Sequence, residues 1–176
     1  KQGNYDLFIG MSTVGKTTVI IYLLTILAAK YDQVWLLFPS ENESGDTKIN
    51  IMEFYMRKSV KAMSISELNE ATAWLNAHFI FLNLERLYNI GEILRVAEHV
   101  NQGTPINGVF IDPYSMLIPP KGANGFEYHT GEVQNSIHVF KRKTKISVWL
   151  SIHAFSEAAR SKDKDGFPRP PGMNDA

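Results

Sequence analysis

The stretch that decides the reading is Tyr5-Asp6-Leu7-Phe8-Ile9-Gly10-Met11-Ser12-Thr13-Val14-Gly15-Lys16-Thr17-Thr18. Residues 5–9 are apolar or aromatic apart from Asp6, as in a largely buried strand. Gly10–Thr17 fits G-x-x-x-x-G-K-[ST] at every position. An apolar helical pattern, Gly15–Lys30, follows at once. The two glycines permit a tight loop whose backbone N–H groups turn inward on an anion. Lys16 is placed to bridge the outer phosphates of a nucleotide, and Thr17 to offer its hydroxyl to Mg²⁺. The helix start adds a positive dipole end. Gly10, Ser12, Thr13, Val14, Gly15, Lys16, Thr17 and Thr18 are therefore the candidate nucleotide-binding set, with ATP and Mg²⁺ as the ligands. The plain alternative is a glycine turn with a solvated lysine, which the strand–loop–helix context disfavours.

Outward from this loop, four more short apolar runs recur: Val34–Phe38, His78–Leu82, Val109–Ile111 and Ile146–Ile152. Near-continuous apolarity is the mark of strands covered on both faces. Helical patterns lie between them at Lys48–Lys58, Ser66–Asn76, Asn89–Asn101 and Glu132–Lys143, with Ser64 and Glu67 at capping-box spacing. The alternation predicts an α/β fold with a mainly parallel five-stranded sheet and helices on both faces. Pro119–Thr130 and Ser161–Ala176 are expected to be irregular.

Composition excludes several classes. The 176 residues hold no cysteine, so they form no disulfide scaffold, zinc finger or cysteine nucleophile. Eighteen basic residues balance eighteen acidic ones, which argues against a protein that is basic all over. The longest apolar run, Val19–Ala29, is about half the length needed to span a bilayer. A soluble, cytoplasmic protein with no membrane partner is expected.

Further chemistry is expected at the strand ends. Asp112 closes Gly108-Val109-Phe110-Ile111-Asp112 and is the candidate Mg²⁺ ligand from a second strand; a turn-forming aspartate before Pro113 is the alternative. Glu41, after the second strand, is the candidate base that orients and deprotonates the attacking water, with Glu43 as competitor; a solvated loop carboxylate is the alternative for either. His153 ends the last run and is expected to hydrogen-bond the γ-phosphate and report its loss; a structural histidine is the alternative. Trp35 and Trp149 lie inside strands and are expected in the core. Lys141-Arg142-Lys143 with Lys145 falls at a helix C-terminus, where cations complement the dipole.

The ordered set GMSTVGKTT (10–18), FPSENE (38–43), GVFIDPYS (108–115) and VWLSIH (148–153) resembles the RecA-like P-loop ATPase core of DnaB-type replicative helicases, nearest the Twinkle and phage primase-helicase branch. The segment 162–170, KDKDGFPRP, looks like the loop after the sensor strand in that branch. The resemblance spans nearly the whole chain. It implies a helicase motor that hydrolyses ATP and translocates on single-stranded DNA as a homo-hexamer, with primase or a helicase loader as further partners. Lys16, Glu41 and His153 would serve catalysis; Thr17 and Asp112 would hold the metal. It also implies that residues 1–176 are one RecA-like ATPase domain of a longer chain. A linker helix and N-terminal domain would precede Lys1, and an arginine finger would follow Ala176, so this segment is expected to bind nucleotide yet hydrolyse it poorly. Lys121, Lys162, Lys164 and Arg169 are candidate contacts to DNA phosphates, with solvated loop lysines as the alternative.

Two other functions stay open: a recombination or repair ATPase of the same fold, and a non-catalytic nucleotide-binding assembly module. A RecA-like sheet should place the strand ending in His153 between those ending in Gly10 and Asp112. Direct adjacency of the latter two would mark the kinase-like branch instead.

Overall fold

A computed structural model describes residues 3–10, 14–39, 44–82, 88–122, 124–125 and 128–153. Five parallel strands form one sheet: β1 (Tyr5–Gly10), β2 (Trp35–Pro39), β3 (Phe79–Phe81), β4 (Gly108–Asp112) and β5 (Ser147–His153). Their order is β1-β5-β4-β2-β3. β5 therefore separates β1 from β4, as the RecA-like reading requires.

Every residue of β2 and β4 is buried, because helices cover both faces. Side chains alternate between two cores at the two-residue period of a strand. Leu36 and Phe38, Val109 and Ile111, and Val148 and Leu150 join one core with α4 (Ile90–Gly103) and α5 (Val133–Thr144). Trp35, Leu37 and Phe110 join the other with α1 (Lys16–Tyr31), α2 (Ser44–Met56) and α3 (Ile65–His78), and Trp149 packs against it. Trp35 is thus a core residue, while Trp149 is only half-buried and packs on its ring, with centroids 5.0 Å apart.

Local chemistry sets the helix ends. Ser64 accepts from the Glu67 N–H while the Glu67 carboxylate accepts from the Ser64 N–H, the reciprocal cap expected from their spacing. Asn89 and Glu92 form the same box at the start of α4. α2 begins four residues earlier than its apolar pattern does, at Ser44, and stops at Met56, where Arg57 turns to φ 51. α5 ends at Lys145 (φ 62), with Lys141, Arg142 and Lys143 in its last turn and Lys143 paired to Glu98 at 3.0 Å.

One expectation needs correction. The end of the supposed loop 119–130 is ordered: Tyr128–Glu132 form a π-helical turn that runs into α5. Tyr128 is buried and its hydroxyl accepts from the Ile90 N–H at 2.7 Å, satisfying a donor at the α4 N-terminus. Among the described residues no helix is long and apolar enough to cross a membrane.

Candidate nucleotide site at the carboxyl edge of the sheet

Parallel strands end together at one edge, and open α/β sheets place their chemistry there. Strand register brings the candidates to that edge. Gly10 of β1 stands opposite His153 of β5, and Pro39 of β2 opposite Asp112 of β4. β2 thus delivers the chain to the Asp112 end of the sheet just before Glu41 and Glu43. Both glutamates lie outside the described residues, as do Ser12 and Thr13.

After β1 the chain reaches α1 through Gly15, whose φ of 80° lies in the left-handed region that glycine alone adopts freely. α1 opens on Lys16 without a side-chain cap, so its first N–H groups face the loop side. Lys16 Nζ donates to the Gly10 carbonyl at 3.3 Å, which holds the ammonium back over the loop it follows. Val14 and Thr18 are exposed beside it.

Thr17 is one residue further into α1. Its hydroxyl donates to Asp112 Oδ2 at 2.6 Å. Asp112 is 2% exposed, so its carboxylate requires hydrogen-bond partners. A second hydroxyl supplies one: Ser151 Oγ donates to Asp112 Oδ1, from a fully buried position on β5. Sequence reading missed Ser151. The available signal was a polar residue inside an otherwise apolar strand, where burial demands a partner. The Asp112–Pro113 peptide bond is cis.

These residues fit a magnesium nucleotide. Among the described residues no group of three or more His, Asp or Glu is placed to hold a metal alone. Mg²⁺ asks for less: one or two protein oxygens, with water and substrate phosphates completing its octahedron. The Thr17 hydroxyl and Asp112 carboxylate are such hard oxygen donors, side by side at the phosphate loop.

Of the basic residues proposed for DNA, Lys121 is exposed in the turn with Gly122; Lys162, Lys164 and Arg169 lie outside the described residues.

Strand order decides the class. The fold is that of a RecA-like ATPase domain. No protein-family model matches the chain, and no curated protein matches it by sequence. Solved structures do match. One is an ATPase domain, with TM-score 0.74 and 12% identity over 99% of this chain and 64% of that one. Another is a DnaB-like replicative helicase described with its interactions with primase, with TM-score 0.74 and 13% identity over 99% of this chain and 43% of that one. A KaiC-like protein from the hyperthermophilic archaeon Pyrococcus horikoshii matches at TM-score 0.58 and 15% identity, over 87% of this chain and 62% of that one. The chain therefore spans less than two thirds of each of these solved chains. At such identities the likeness is one of fold.

Proposed function

We propose that residues 1–176 form one RecA-like motor domain of a longer DnaB-type replicative helicase, which hydrolyses ATP to translocate on single-stranded DNA. The observation that carries the ATPase reading is the 2.6 Å bond between Thr17 and Asp112, which joins the phosphate-loop helix to a second strand end. The helicase reading is supported by the ordered motifs and by the better overlay on the two matches at TM-score 0.74 than on the KaiC-like protein at 0.58.

In this reading the loop amides and the α1 N-terminus bind the phosphates. Lys16 leaves the Gly10 carbonyl for the outer phosphate oxygens. Thr17 and Asp112 hold Mg²⁺, which neutralises charge on the phosphates when bound. Glu41 orients water for attack and takes its proton. His153, next to Gly10 in register, hydrogen-bonds the γ-phosphate and registers its loss. Lys121, Lys162, Lys164 and Arg169 contact DNA phosphates. The complete protein acts in the bacterial cytoplasm, for a bacterium or its phage, as a homo-hexamer that meets primase or a loader.

The test is ATP hydrolysis by the full-length protein with and without single-stranded DNA, followed by unwinding of a forked duplex. DNA-stimulated hydrolysis with unwinding is expected. Hydrolysis with strand pairing in filaments would favour the recombination reading. Nucleotide binding without hydrolysis on any nucleic acid would leave an assembly module.

A further inference from the structure

The site holds a buried hydroxyl to which no motif assigns a task. β4 and β5 pair with Ile111 opposite Leu150, so Asp112 and Ser151 each follow a paired residue and lie side by side. Ser151 is 0% exposed and donates to Asp112 Oδ1, while Thr17 donates to Oδ2. The χ2 torsion of an aspartate is soft, so its own rotamer does not fix the plane of the carboxylate. One hydroxyl on each oxygen does fix it. Thr17 holds Oδ2 from α1 and Ser151 holds Oδ1 from β5, so the two bonds reach the carboxylate from different elements.

We propose that Ser151 is a positioning residue: its hydroxyl, anchored on β5 two residues before His153, fixes the Asp112 carboxylate in the orientation that accepts the nucleotide-bound Mg²⁺. The inference rests on the nucleotide reading above. Hydrogen-bonded partners of metal-binding side chains commonly govern metal affinity by about 10–100-fold, which makes the effect measurable. Ser151 touches neither phosphate nor metal in this scheme, so its loss should separate metal affinity from nucleotide affinity.

The experiment uses the full-length protein, its Ser151→Ala variant and its Ser151→Cys variant, with a fluorescent N-methylanthraniloyl-ADP as probe. Binding is measured in EDTA and then as a Mg²⁺ titration, with Mn²⁺ paramagnetic resonance as a direct count of bound metal. For Ser151→Ala the affinity in EDTA should match the parent. The Mg²⁺ midpoint should rise about tenfold or more, with a parallel loss of bound Mn²⁺. Ser151→Cys keeps the shape with a slightly larger atom and a weaker donor, so a smaller rise in the same direction is expected; it decides the matter if Ser151→Ala does not fold. An unchanged Mg²⁺ midpoint in a folded variant overturns the proposal. So does an equal loss of affinity with and without metal, which is the result of a general packing defect. A parent protein that does not bind the probe overturns the nucleotide reading, and one whose probe binding ignores Mg²⁺ overturns the metal site; this proposal falls with either.

Discussion

Thr17 and Asp112 are 95 positions apart in the chain, yet the hydroxyl of one lies 2.6 Å from the carboxylate of the other. A helix N-terminus and a strand end are thereby tied across the carboxyl edge of the sheet, and Lys16 stands one residue from the tie.

Lys16→Ala should remove a charge-assisted contact to the phosphates worth about 1.5–3 kcal/mol. Calorimetry should show at least about a tenfold loss of ATP affinity. Equal binding by both proteins would remove the phosphate loop from the site.

Glu41→Gln should keep ATP affinity and lower turnover by about 10²–10⁴-fold, because the carboxylate acts on water and not on binding. Single-turnover hydrolysis by the full-length protein on single-stranded DNA reads this. Unchanged turnover would make Glu43 the next residue to substitute.

Tyr128→Phe should destabilise the fold by about 1–3 kcal/mol, since the buried Ile90 N–H loses the acceptor it now has at 2.7 Å. Urea unfolding should show a lower midpoint with an unchanged slope. A change confined to ATP turnover would contradict this purely architectural role.

Gly108→Ala should cost about 1–3 kcal/mol by overpacking. A Cβ there would fall inside the indole of Trp35, 2.6 Å from Cε3, and that ring is itself buried in the core. Thermal melting with and without Trp35→Phe checks the cause: the smaller ring should recover part of the loss.

Glu67 should titrate with a pKa of about 2, below its ordinary 4.5, because the Lys58 ammonium and then the Ser64 backbone and hydroxyl favour its charged form. The folded value is depressed, so its contribution to stability is present above about pH 4.5 and is lost as pH falls towards 2. Carbon-detected NMR titration of the Glu67 side chain checks it, and a midpoint near 4.5 would refute the cap.

Much of this architecture was legible because its causes are local. Continuous apolarity marked the five strands, and the Ser64–Glu67 spacing marked a helix start. The register of β5 was legible only through the motif order, since nothing in Ile146–His153 alone says which strands flank it. The apolar pattern places the start of α2 too late because Ser44-Gly45-Asp46 carries turn-forming residues, while Ile51, buried in the core, holds the helix in place. Tyr128 and Ser151 escaped notice for a shared reason: each owes its role to a partner 38 or 39 residues away, Ile90 and Asp112, that no local pattern reveals.

The place of β5 between β1 and β4 also constrains how this chain is born. Among the described strands β1 has β5 as its neighbour, so β1, made before the other four, waits for β5 before its backbone groups can pair. Until Ser147–His153 leaves the ribosome, β1 and the exposed side of β4 are open edges, available to other chains. Loop closure over such a separation is slow, so these edges stay open longer than those of strands paired with a near neighbour in sequence.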